Sequence, residues 1–183
     1  MSRWTLVIPL LGFLLLGAGA GRPPEWAQPL PLEGVPNLHR VSDSLYRSAQ
    51  PTAQGMKNLE KLGIRKVINL RAFHSDRDEL AGTRILNEEL SVKTWRIEDE
   101  DVVRVLRLVK DPAGGPYLIH CLHGADRTGT MVAMYRMVVQ GWRREQAIDE
   151  LVNGGYGFHP LWKNILSYLQ EVDVGRIRQE VNR

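Results

Sequence analysis

The segment from residue 117 to residue 140 does most to constrain the fold. Tyr117-Leu118-Ile119 is an apolar run of the kind buried on both faces in a parallel sheet. His120 to Gly129 follow as a loop, and Gly129–Gln140 is then almost wholly apolar, through Met131, Val132, Ala133, Met134, Met137, Val138 and Val139. A helix that is hydrophobic all round is a buried helix, so the methionine stripe reads as core. A buried strand feeding a buried helix needs further strands beside it and helices on both faces.

Those elements can be read nearby. Two short extended pieces flank Ser42-Asp43-Ser44, and Thr52 is placed to cap a helix carrying Met56, Leu59 and Leu62 that stops at Gly63. Val67 to Leu70 reads as a strand, Asp78 to Leu90 as a polar helix, and Val92 to Ile97 as another strand. Asp101 opens a helix with Val102, Val105, Leu106 and Val109 on one face, and two more helices span Arg144–Val152 and Leu161–Val172. The expectation is an α/β fold with three layers, α/β/α, around a mostly parallel central sheet of about four strands.

The chain ends differ from this middle. Arg3, the apolar run Trp4 to Leu16, and Ala18 and Ala20 before Gly21 form the pattern of a cleaved signal peptide over residues 1–20. That pattern implies a secreted or periplasmic protein without a stable membrane span; an uncleaved N-terminal anchor is the alternative. Residues 21–37 hold five prolines and read as an extended linker, 38–172 as the folded domain, and 173–183 as a solvated tail. The formal charge of +3, with no basic run and no zinc-finger or RNA-recognition signature, gives no reason to expect nucleic acid. A single cysteine excludes an internal disulfide and a multi-cysteine metal cluster.

That cysteine, Cys121, stands where a buried strand meets a helix N-terminus. Such a junction gathers unpaired backbone N–H groups and the positive end of a helix dipole, which favours a thiolate and binds anions. Arg127 follows with five residues between, enough for the loop to curl and present the guanidinium fork to two phosphate oxygens. Gly124 allows a positive φ within so tight a loop, Gly129 allows close helix approach, and the Thr128 hydroxyl is within reach of the sulfur. The chemistry these residues suit is thiolate attack on phosphorus, a phosphocysteine and its hydrolysis, with no metal or cofactor required. His120 fixes the loop and tunes the thiol. His123 either touches substrate or faces solvent, and Asp126 either bonds loop backbone N–H groups or His123 in a structural role or takes part in catalysis. Arg71 and Arg47 are further phosphate contacts or, for Arg47 above all, a salt bridge.

His120-Cys121, Arg127-Thr128-Gly129 and the form Cys-x-x-Gly-Ala-Asp-Arg-Thr-Gly resemble the signature of the cysteine-dependent protein tyrosine phosphatase superfamily. With Leu45 to Pro51 and Val67 to Arg71 upstream, the chain is similar to compact bacterial dual-specificity phosphatases over roughly residues 38–170. The resemblance implies Cys121 as nucleophile, Arg127 as phosphate clamp and Thr128 as helper in breakdown of the intermediate. It also implies the backbone of Leu122, His123, Gly124, Ala125, Asp126 and Arg127 as the oxyanion cradle. Two departures stand out. No Trp-Pro-Asp acid loop is present, so the general acid is expected from Glu98-Asp99-Glu100-Asp101, with Asp99 preferred because Asp101 doubles as a helix cap. Asp126 replaces the basic residue of relatives acting on inositol pyrophosphates, which favours a single phosphomonoester over polyphosphates. Two rival readings are a rhodanese-like sulfur transferase, which the Arg127-Thr128 pair disfavours, and a phosphate-binding module without turnover.

Overall fold

The computed structural model describes residues 22–183; the expected signal peptide, residues 1–20, lies outside the described residues. Six strands form one sheet: β1 (Gln28–Pro29), β2 (His39–Arg40), β3 (Leu45–Ser48), β4 (Lys66–Arg71), β5 (Leu86–Val92) and β6 (Tyr117–His120), in spatial order β1-β2-β3-β6-β4-β5. β3, β6, β4 and β5 are parallel, while β1 and β2 extend the sheet antiparallel at one edge. The parallel part is thus the expected four strands. β6, between β3 and β4, is buried along its whole length.

Alternation along the strands divides the core in two. Val67 and Leu118 face α1 (Ala53–Leu62), whose Met56 and Leu59 complete a small cluster with Val35, Leu38 and Ile64. Leu45, Ile68, Leu70 and Ile119 face the larger layer made by α2 (Asp99–Val109), α3 (Asp126–Val138), α4 (Arg144–Asn153), α5 (Lys163–Glu171) and α6 (Val174–Val181). Among the described residues, one α-helix on one face and five on the other give the expected three layers. Thr52 caps α1 through its side chain, accepting from the Gly55 N–H, and Gly63 ends it at φ 98°. Among the described residues no helix is long and apolar enough to cross a membrane.

Five local expectations are corrected. The helix expected at 78–90 is absent, residues 78–82 forming turns, and the strand expected at 92–97 lies earlier, at Leu86–Val92. β5 is an edge strand with four exposed positions in seven, so it lacks the apolar period of a buried strand and imitates a polar helix. Asp101 is not the cap of α2; Glu98 holds that position and Asp101 sits inside the first turn. The expected linker 21–37 is packed over its described part, with Ala27 and Val35 buried and β1 paired to β2. The expected solvated tail is α6, whose Ile177 and Val181, one turn apart, are buried in the larger core.

Candidate active site

Cys121 leaves the C-terminal end of β6 almost fully buried, and residues 122–125 curl from it into α3. Three successive loop carbonyls are held from outside. Gln50 N–H donates to Leu122 O at 3.2 Å, Asn37 Nδ2 to His123 O at 3.0 Å and Arg47 Nη2 to Gly124 O at 2.7 Å. Among the described residues, none of the N–H groups of Leu122 to Ala125 donates to a protein acceptor. Carbonyls tied outward leave the N–H groups to point inward, which makes the loop a nest for an anion beside the sulfur. Gly124 has φ 68°, and a Cβ there would lie 2.4 Å from the Ser48 carbonyl carbon, so the loop rests directly on the backbone of β3.

Arg47 is fully buried behind this nest, with its guanidinium 3.7 Å from the centre of the Tyr156 ring. It is neither a salt bridge nor a substrate contact: its partners are the Gly124 carbonyl and the aromatic face. Burial pulls Arg47 down to about 10, opposed by the Tyr156, Glu150 and Cys121 charges. It remains a cation at neutral pH, directed at the cysteine loop. Gly129 serves packing, since a Cβ there would meet Leu151 of α4 at 2.3 Å.

Arg127 is half-buried at the rim, its Nη1 donating to Leu70 O of β4 at 3.3 Å. Thr128 is fully buried in the first turn of α3, and its hydroxyl has no hydrogen-bond partner among the described residues. An orphaned hydroxyl in a native core needs a reason, and an anionic sulfur or its phosphoryl adduct supplies one. His120 is buried against Asp76, with Nε2 and Oδ2 2.6 Å apart. Arg71 lies at the end of β4 and donates to Gln50 Oε1 at 2.9 Å. Leu122 and His123 are exposed on the loop, while Ala125 is buried. Asp126 turns both carboxylate oxygens to His159, one to its backbone N–H at 3.0 Å and one to its ring at 2.8 Å, so it fastens the 154–159 loop to α3.

The two expected acids sit in the first turn of α2, engaged with other helices. Asp99 accepts from the Tyr168 hydroxyl at 2.7 Å and from Arg176. Burial and the Asp101 and Glu100 charges push the Tyr168 phenol up, keeping it a donor. Asp101 is buried and paired with Arg104 one turn on. Of the two, the Asp99 side chain is the more accessible, 22% exposed against 9%. Two groups of residues bring metal-type donors within 4.8 Å of one another: His123, Asp126 and His159, and His74, Asp76 and Glu79. Asp126 in the first and Asp76 in the second are already engaged by protein donors. Asn37, Arg47 and Gln50 escaped the sequence reading as loop supports, because each acts across more than seventy residues of chain.

A buried cysteine in a nest of inward N–H groups, with an arginine at its rim, defines a cysteine-dependent phosphatase. Residues 35–157 match the family described as DSP-PTPase phosphatase fused to NAD+ kinase, and the chain belongs to that family of dual-specificity-type tyrosine phosphatases. It is a phosphoric monoester hydrolase by class. The dual specificity protein phosphatase TpbA of Pseudomonas aeruginosa is 37% identical over 185 residues, covering 94% of this chain and 82% of the relative. The crystal structure of that TpbA superposes with a TM-score of 0.80 at 36% identity, covering 88% of this chain and 99% of the other. A Cys-to-Ser variant of TpbA in complex with phosphotyrosine matches at a TM-score of 0.80 and 35% identity over the same shares of the two chains.

Proposed function

We propose that the chain hydrolyses single phosphomonoesters without a metal, through a phosphocysteine on Cys121. The observation that carries this is the outward fastening of the Leu122, His123 and Gly124 carbonyls, which leaves the loop N–H groups beside Cys121 without protein acceptors among the described residues. There the phosphoryl oxygens take the place of protein acceptors, and Arg127 closes over two of them. The sulfur attacks phosphorus, the ester oxygen leaves with a proton from a general acid, for which Asp99 and Asp101 are the two candidates, and water then cleaves the phosphocysteine, releasing phosphate, with Thr128 stabilising the departing thiolate. The phosphotyrosine complex of TpbA supports an aryl phosphate as the substrate class. Export to the envelope is supported by the apolar run Trp4 to Leu16 and by Ala18 and Ala20. N-terminal sequencing of the envelope-associated protein reads cleavage as a start at Gly21 and an anchor as a retained Met1.

Hydrolysis of p-nitrophenyl phosphate by the full chain in EDTA, beside Cys121→Ser and Arg127→Ala, tests the mechanism. The wild-type chain turns over, Cys121→Ser is inactive, and Arg127→Ala loses at least 100-fold in kcat/KM. Turnover retained in Cys121→Ser, or abolished in the wild type by EDTA, overturns it.

A further inference from the structure

Asp76 takes no part in the scheme above, yet it is fully buried and bonded to the residue next to the nucleophile. His120 Nε2 lies 2.6 Å from Asp76 Oδ2, and His120 Nδ1 lies 3.3 Å from the Cys121 carbonyl oxygen. Carboxylate and carbonyl oxygens are both acceptors, so each ring nitrogen supplies the proton of its own hydrogen bond. A ring that satisfies both carries two protons, and Asp76–His120 is then a buried ion pair whose positive end adjoins Cys121. The other Asp76 oxygen accepts from Gln50 Nε2 at 2.8 Å, and Gln50 Oε1 accepts from Arg71 Nη1 at 2.9 Å. The same Gln50 holds the Leu122 carbonyl through its backbone N–H. One hydrogen-bonded chain thus joins Arg71, the cysteine loop and the imidazole.

We propose that Asp76 is a positioning residue for the nucleophile: it holds His120 as a cation against the Cys121 backbone and, through Gln50, orients Arg71 toward the incoming phosphoryl group. This rests on Cys121 being the nucleophile. The charged groups around the pair are His74, 3.4 Å from Asp76 Oδ1, Glu79 beside His74, and Glu89 of β5, which accepts the Asp76 backbone N–H at 3.2 Å. Arg47, behind the loop, interacts with the Cys121 charge, and Arg127 donates to the Leu70 carbonyl of β4. Burial alone pushes Asp76 up, but the hydrogen bonds from His120 and Gln50 and the His120 and His74 charges hold it below the usual carboxylate range. The carboxylate is therefore ionised at neutral pH, as the pairing requires.

Cys121 is the chain's single thiol, so the pH dependence of its alkylation by iodoacetamide can be read by mass spectrometry without turnover. In the full chain, Asp76→Asn keeps the side-chain shape and removes the charge that balances the imidazolium. The expected result is an alkylation midpoint raised by about one pH unit, hence about tenfold slower reaction below the wild-type midpoint. The acid limb of kcat/KM for p-nitrophenyl phosphate moves with it. A folded Asp76→Asn chain with the wild-type midpoint overturns the proposal. If circular dichroism shows that variant unfolded, the 15N spectrum of histidine-labelled wild-type protein decides: a doubly protonated His120 ring at pH 7.5 supports the proposal and a neutral ring overturns it. A chain that alkylates as expected but hydrolyses no phosphoester overturns the phosphatase mechanism and leaves this assignment standing.

Discussion

Gly124 concentrates the demands of the site on one residue. Its φ of 68° and the 2.4 Å approach of a built Cβ to Ser48 mean that any side chain must push the loop off β3. Gly124→Ala is expected to destabilise the fold by about 1–3 kcal/mol, read as a lower Tm, and to lower kcat/KM at least 100-fold by breaking the Arg47 bond to the same residue. Asp99 makes a different prediction, because acid assistance matters in proportion to how badly the leaving group needs a proton. Asp99→Asn should lower kcat on a phenyl or alkyl phosphate by about 10²- to 10⁴-fold and hardly affect p-nitrophenyl phosphate. Equal losses on both esters would remove Asp99 from that role, and the same pair of substrates examines Asp101. Cys121, Arg127, Thr128 and Gly124 are legible from sequence because their chemistry lies within nine residues. Asn37, Arg47, Gln50 and Asp76 are not, because what they do depends on which strands become neighbours.

Elements are legible where burial imposes a period. β6 and most of α3 are buried and announce themselves by largely apolar stretches, Tyr117 to Ile119 and Met131 to Met134, and α1 by its caps. β5 and α6 carry few buried residues among charged ones, so nothing local distinguishes an edge strand from a polar helix or a packed helix from a tail. Partner contacts decide: Arg107 of α2 and Lys110 at its C-terminal end donate to the Glu180 and Val181 carbonyls, and Arg178 donates to the Val138 and Met137 carbonyls of α3. Ile177 is fully buried, so Ile177→Ala is expected to cost about 2–5 kcal/mol in urea unfolding. A loss below about 0.5 kcal/mol would mean that α6 contributes little to the folded unit.

The whole molecule is fastened through Glu150. It accepts both Arg136 Nε at 2.7 Å and Nη2 at 2.9 Å, and also the Ala27 N–H at 2.6 Å and the Tyr156 hydroxyl at 3.1 Å. Burial pushes Glu150 up, but Arg136, the Ala27 N–H and the Arg47 charge outweigh it and hold its carboxyl below the usual range. A carboxylate lowered in the fold stabilises fully above its unfolded value, about 4.3, and loses that contribution as pH falls through the folded value. Asp76 has the same sign. The carboxylate contribution to the urea midpoint is therefore expected to fall as the pH drops below about 4, with a shallower fall in Glu150→Gln. That variant breaks a buried pair and should lose about 3–5 kcal/mol at pH 7.

Arg22 closes the same network, donating to the Ala27 and Gly154 carbonyls and to the Tyr156 hydroxyl. Tyr156 in turn lies under Arg47, and the loop it belongs to is pinned at His159 to the start of α3. Whatever is attached ahead of Arg22 therefore enters the body beside the loop that borders the catalytic mouth. For protein engineering, a fusion or surface tether at that end is joined to the body through the loop that His159 pins to α3, whereas one at Arg183 is joined through α6.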